Sequence, residues 1–372
     1  MKKIKVVDLF AGVGGLSYGF AHDESFEIMA ANEILHSMAK AYEINHAAVR
    51  VYCKDIKEFG ISDLRRDFDI IPGQIELVIG GPPCQAYSTV GKRLIDDPRG
   101  ILFQEYFRVI KELKPKVFLF ENVKGLLSMQ KGELISTIVK QFESIGYSVW
   151  YKVLNAADYG APQLRERVII IGSLLSKKFE YPKATHTNLV NESSLFDHDL
   201  QPYLTISDAI SDLPLIKSGE ESSNYISQPK NDFQRAMRKD SPIKLMDHSA
   251  PNNSEFLVRL MEELPEGGSP IDLPEAMRPK SGFANTYSRL WWNKPSTTIT
   301  RNLSTPSSSR CIHPLAPCPL TTREGARLQC FPDNYIFYGS KVDKNLQVGN
   351  AVPTFLSRAL KNSIKSHFEK YS

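Results

Sequence analysis

The stretch IKVVDLFAGVGG, residues 4–15, decides the fold. Residues 4–10, IKVVDLF, form an apolar run of the length expected for a buried strand, and it ends in the glycine turn AGVGG. An amphipathic segment follows from Leu16 to about His22, so the order is strand, tight turn, helix. Asp8 interrupts the apolar run early, which argues against a signal peptide despite Lys2 and Lys3.

The same alternation continues outward. EIMAANE (27–33) reads as a second strand ending in Glu33, followed by a helical pattern through Met38, Tyr42 and Ile44. ELVIGG (76–81), a helix from about Leu102 to Leu113, KVFLFENV (116–123), a helix near 131–145, and the strands YSVWYKVL and RVIIIG complete it. Strands separated by helical crossovers imply a doubly wound α/β domain built on a mostly parallel sheet covered on both faces.

After Gly172 the texture changes to short apolar runs among Ser, Pro and Asn, as in PEGGSPIDLPEAMRPKSG, which suits a loop-rich second domain. Helical pattern returns at TTREGARLQCF and again from Pro353 to about Phe368, where Leu356, Ala359, Leu360 and Ile364 share one face. The expected division is therefore residues 1–180, a smaller loop-rich domain over 181–300, and a return to the first domain over 301–372.

A glycine turn after the first strand, with an acidic residue ending the second, is an arrangement that binds nucleoside cofactors at the carboxyl ends of strands. Gly12, Gly14 and Gly15 let the backbone approach a ligand, and Glu33 can accept hydrogen bonds from ribose hydroxyls. FAGVGGLS departs from the dinucleotide fingerprint GxGxxG, and no GxxxxGK[ST] loop is present. Asp55 and Ile56 offer an acceptor and an apolar wall for a base.

GGPPCQAYS (80–88) holds Cys84 behind two prolines that fix two φ angles and remove two donors, at the end of a strand where α/β enzymes place chemistry. FLFENV puts Glu121 at the same edge, where a carboxyl group could carry a proton. In QLRERV, Gln163, Arg165 and Arg167 alternate along an extended segment, which sets both arginines on one face as forks for phosphate or a carbonyl.

Composition is that of an ordinary globular protein, with 42% hydrophobic and 24% charged residues. Five cysteines without a CxxC pair point to reduced thiols, and Cys311, His313 and Cys318 match no common zinc spacing, so no metal is expected. No apolar stretch reaches the roughly 18 residues of a membrane span, and the reading is cytoplasmic, with nucleoid association if the source is bacterial. Net charge is +4, yet residues 183–301 carry 13 Lys and Arg against 16 Asp and Glu, so composition alone does not announce a nucleic-acid partner.

The ordered set DLFAGVGG, ANEI, Asp55–Ile56, GGPPCQAYS, DPRG (97–100), ENV, QLRERV, TTREGARLQCFPD and QVGNAVP resembles the bacterial cytosine carbon-5 DNA methyltransferase family. The resemblance implies a Rossmann-like methyltransferase fold with a target recognition domain over 181–300, S-adenosyl-L-methionine as cofactor, and double-stranded DNA as substrate. Carried over, Cys84 is the nucleophile toward carbon 6 of a flipped-out cytosine, Glu121 meets ring nitrogen 3 and the amine, and Arg165 with Arg167 steadies the catalytic loop and the carbonyl. The cofactor residues implied are Phe10, Ala11, Gly12, Val13, Gly14, Gly15, Leu16, Glu33, Ile34, Asp55, Ile56, Pro83, Leu102, Asn350 and Val352. Gln85, Ser88, Lys92, Arg93, Arg99 and Gln163 are the implied DNA contacts, most of them on a mobile loop over 85–100. The reading is of a monomer, with a restriction endonuclease acting on the same site as a candidate companion.

The chemistry has its own logic. Carbon 5 of cytosine is a weak nucleophile, and adding a thiolate at carbon 6 turns the ring into an enamine. The base must leave the duplex for this, at a cost of about a few kcal/mol. One departure is Cys318, which stands where the family has an arginine before LTxRE. Alternatives are a tRNA cytosine methyltransferase of the same fold, a DNA-binding regulator, which would be expected to lose Cys84, Glu121 or Arg167, and a nicotinamide dehydrogenase, which explains none of PPC, ENV or RER.

Overall fold

The computed structural model describes residues 3–83, 101–188, 200–280 and 285–372. The chain divides into two compact units, the first made of Met1–Asn155, Glu166–Lys183 and Leu356–Ser372, the second of Ala156–Arg165 and Ala184–Phe355. By this division residues 301–355 belong to the second unit, and the chain returns to the first at Leu356, later than the 301 read from the sequence.

The first unit is a seven-stranded sheet of β1 (Ile4–Leu9), β2 (Phe26–Asn32), β3 (Arg50–Tyr52), β4 (Leu77–Gly80), β5 (Val117–Val123), β6 (Ser148–Asn155) and β7 (Glu166–Ser173). Their spatial order is β3-β2-β1-β4-β5-β7-β6. β1 to β5 pair in parallel, and only β7 runs antiparallel to both its neighbours. The order reverses beside β1, which leads to β2 on one side and lies against β4 on the other, and such a switch point opens a crevice at the carboxyl ends.

The helices of this unit are α1 (Tyr18–Ala21), α2 (His36–Asn45), α3 (Ile61–Phe68), α4 (Ile101–Leu113) and α5 (Glu133–Ser144). α1 has four residues, shorter than the segment expected from Leu16 to His22, because the turn continues as far as Ser17, the N-cap residue of the helix. Strands β4 and β5 are apolar on both faces and fully buried up to Phe120, as parallel strands under two helical layers require. Tyr106 of α4, Phe142 of α5 and Phe118 and Phe120 of β5 meet edge to face or tilted, at centroid distances of 4.2 to 6.4 Å. Gly172 of β7 makes room for them, since a Cβ there would lie 1.9 Å from the Phe118 ring.

The second unit contains α6 (Ile206–Ile210), α7 (Asp232–Arg238), α8 (Glu255–Glu263), α9 (Thr322–Leu328) and α10 (Lys341–Asn350). Its strands are two or three residues long, Ser288–Arg289 with Arg310–Ile312 and His186–Thr187 with Gln201–Pro202. Buried arginines satisfy many of its carbonyls. Arg289 donates to the carbonyls of Leu264, His313, Pro314, Ala316 and Met261. The last helix, α11 (Thr354–Tyr371), buries Leu356, Leu360, Ile364 and Phe368, and within the first unit its Ser357 hydroxyl binds the Leu16 carbonyl and the Gly19 N–H.

Candidate active site

The ladder aligns the ends of five strands. Leu9 pairs with Asn32 and with Gly80, Asn32 with Tyr52, and Gly80 with Phe120. Just beyond that row come Phe10 to Gly15, Glu33 with Ile34, Asp55, Gly81 to Pro83, and Glu121. Residues far apart in sequence therefore share one edge because the strands are in register.

At the β1 end the chain turns through positive φ at Phe10 (54°), Gly12 (56°) and Gly14 (90°). A Cβ at Gly12 would have no atom within 4 Å, so the main chain there is open to a ligand. At Gly14 it would lie 2.4 Å from His46 Nε2, so only glycine fits against α2. Glu33 is nearly buried and clamps this turn: one carboxylate oxygen accepts the Gly12 N–H at 2.9 Å, the other the Leu35 N–H at 2.8 Å. Burial raises its pKa, against the lowering effect of these main-chain N–H groups. Each oxygen retains acceptor capacity for a further donor.

Ile34, 59% exposed, presents an apolar surface beside Glu33. Asn32 donates to the carbonyls of Tyr52 at 3.1 Å and Lys54 at 2.9 Å, which fixes the chain entering Asp55. Asp55 caps the one-turn helix Ile56–Glu58 by accepting the Lys57 N–H at 3.0 Å. Ala11, Val13, Gly15 and Leu16 are buried in the turn, Ile56 belongs to the hydrophobic core, and Phe10 and Leu102 pack partly against it. Asn350 is exposed at the end of α10 and Val352 is buried, both in the second unit.

At the ends of β4 and β5, Arg167 Nε lies 2.8 Å from Glu121 Oε1 in an ion pair whose side chains are each 12% exposed. Antiparallel pairing of β7 with β5 brings them together, because it sets Arg167 opposite Val123. Gly81 passes so close that a Cβ there would be 2.8 Å from Glu121 Oε2. Asn122 donates to the Pro82 carbonyl at 2.8 Å and so ties ENV to the chain leading into Pro83, which is exposed. Asn32, Gly81 and Asn122 escaped the sequence reading, although each lies inside a quoted motif. Cys84, Gln85, Ser88, Lys92, Arg93 and Arg99 lie outside the described residues.

The structure corrects the reading of Gln163. It is fully buried in the second unit, where its amide donates to the Leu328 carbonyl at 2.8 Å and Gln329 at 2.7 Å and its oxygen accepts the Ile299 N–H at 3.0 Å. A side chain enclosed and bonded in this way has no face for DNA. Arg165 is buried in the second unit and donates to the carbonyls of Ile299 at 2.6 Å and Gly349 at 3.0 Å. Cys318 is buried with its thiol 3.3 Å from the Ile216 carbonyl, and burial pushes its pKa, like that of Cys311, up to about 12.

Residues 4–366 match the sequence profile described as C-5 cytosine-specific DNA methylase. The chain is 33% identical to the Type II methyltransferase M.AgeI of Thalassovita gelatinovora, over 97% of this chain and 99% of that one. It is 36% identical to the Type II methyltransferase M.DdeI of Desulfomicrobium norvegicum, over 98% and 89%. Among solved structures, one described as a DNA modification methyltransferase encoded within an E. coli prophage superposes with a TM-score of 0.77 at 25% identity, covering 99% of this chain and 100% of that one. The Dnmt2 methyltransferase of S. pombe shares the fold, with a TM-score of 0.62 at 16% identity over 99% and 100%.

Proposed function

The chain belongs to the C-5 cytosine-specific DNA methylase family, and from that premise we propose that the strand-end row is the active site of a DNA cytosine-5 methyltransferase working through Cys84 and Glu121. The observation that carries this reading is the Glu121 carboxylate, held by Arg167 and brushed by Gly81, three residues before the cysteine.

The residues at the neighbouring strand ends fit S-adenosyl-L-methionine, which when bound supplies an electrophilic methyl group. Glu33 would receive the ribose hydroxyls, Ile34 and Phe10 would border the base, and the main chain open at Gly12 would lie against the ligand.

Cytosine presents carbon 6 to the Cys84 thiolate after leaving the duplex. As the carbon–sulfur bond forms, a proton from Glu121 at nitrogen 3 neutralises charge developing on the ring, which becomes an enamine with carbon 5 as its nucleophile. Arg167 holds Glu121 on that edge of the ring through the 2.8 Å contact. After methylation, loss of the carbon-5 proton expels the cysteine as the carbon–sulfur bond breaks, and nitrogen 3 returns its proton. The double proline before Cys84 limits the chain's freedom and favours a fixed approach.

Cys84→Ala should abolish methyl transfer to DNA while S-adenosylmethionine still binds, and retained methylation overturns the assignment. A duplex with 5-fluorocytosine at the target should be trapped covalently, because the fluorine cannot leave as a proton; absence of the adduct on a denaturing gel counts against the mechanism. Bisulfite sequencing of DNA from expressing cells identifies the target site, and with it the site a companion endonuclease would cut.

A further inference from the structure

Beneath the glycine turn lies a buried polar group that the mechanism does not use. Asp8, the penultimate residue of β1, is 1% exposed, and its Oδ1 has no hydrogen-bond partner among the described residues. Its Oδ2 lies 3.3 Å from the Tyr42 hydroxyl. That hydroxyl is 3.0 Å from Ser17 Oγ, and the Ser17 hydroxyl is 3.3 Å from the Gly14 carbonyl. The same Tyr42 ring and His46 fill the space a Gly14 side chain would need.

Counting protons decides how this chain runs. Tyr42 has one hydroxyl proton and two oxygen neighbours, so it donates to one and accepts from the other. With Asp8 protonated every link is satisfied in one direction, Asp8 to Tyr42, Tyr42 to Ser17, Ser17 to the Gly14 carbonyl. With Asp8 ionised the chain reverses: Tyr42 donates to the carboxylate oxygen Oδ2, Ser17 donates to the Tyr42 oxygen, and the Gly14 carbonyl loses the Ser17 hydroxyl. Oδ1 would then bear charge in a buried site without a donor.

We propose that Asp8 is a positioning residue that, when protonated, braces the glycine turn from beneath through Tyr42 and Ser17, and so couples binding of the methyl donor to pH. This rests on the reading of the turn as the donor site. Burial raises the Asp8 pKa to about 7, opposed by the Ser17 and Tyr42 hydroxyls and assisted by the Glu33 charge. The titratable groups that bear on it are Tyr42 of α2, Glu33 beyond β2 and Tyr106 of α4, and among these there is no cation. His46, pushed by burial to about 4, stays neutral across the relevant range. The proton is therefore present below pH 7 and lost above it, and the brace goes with it.

The test has two readouts on the full chain. Calorimetric binding of S-adenosylhomocysteine from pH 6 to 8.5 should weaken by about tenfold in the wild type, remain flat in Asp8→Asn, which imitates the neutral carboxyl, and be weak throughout in Ser17→Ala. Infrared difference spectra of wild type against Asp8→Asn should show a protonated carboxyl band that disappears near pH 7. A band lost near pH 4, or the same pH dependence in Asp8→Asn, overturns the proposal. A band that titrates near 7 in a protein that binds no S-adenosylhomocysteine at any pH overturns the coupling and indicts the reading of the donor site, while leaving the protonated brace intact.

Discussion

In the first unit the carbonyls of seven strands are taken up by the ladder, whereas in the second, whose strands have two or three residues, side chains such as Arg289, Arg165 and Arg310 take them. The requirement is the same in both, since a buried carbonyl needs a donor. The difference decides where polar side chains have capacity left. Glu33, just past β2, and Glu121, near the end of β5, bind main-chain N–H groups and Arg167 respectively and keep acceptor capacity at the strand-end row. Gln163, Arg165 and Arg289 are consumed inside the second unit.

That contrast predicts opposite consequences for polar substitutions. The largest effect is expected for Glu121→Gln, which keeps the shape and removes both the acid and the Arg167 pair. Turnover should fall about 10²- to 10⁴-fold while the midpoint of urea unfolding moves little, as measured by methyl transfer and denaturation on one preparation. Next comes Arg327→Ala in the second unit. It would strip the buried Asp212 and Asp333 of a guanidinium that lies 3.1 Å from one and 2.6 Å from the other, and should lower stability by about 3–5 kcal/mol. Turnover well below the permissive temperature should fall far less than in Glu121→Gln; if the two variants behave alike, the contrast between the units breaks. Smallest is Lys124→Ala, whose pair with Glu166 is 57% and 47% exposed on the first unit and should change stability by under ~1 kcal/mol.

Much of the first unit was legible in the chain. Apolar runs of strand length and helical periodicity located β1, β2, β4, β5, α4 and α5, because burial on both faces leaves a local mark. The positions of Glu33 and Glu121 at the carboxyl side of their strands were legible for the same reason, whereas the roles proposed for them rest on the family resemblance. The burial of Arg165 and Gln163 was not legible: alternation in an extended segment shows which residues share a face, but not whether that face meets solvent or another loop. The antiparallel β7 gave no signal either, since an apolar strand reads alike in both directions. α10 was missed because its polar sequence, KVDKNLQVGN, holds little periodicity.

The order of motifs along the chain was enough to determine the family, the doubly wound class and the residue types available for chemistry, since each rests on identity and spacing. Only the folded chain decided that Arg167 would hold Glu121, that Gly81 would pass against that carboxylate, and that Asp8 would lie buried under the glycine turn. These depend on strand order and register, and hydrogen bonding between strands sets which distant residues stand side by side.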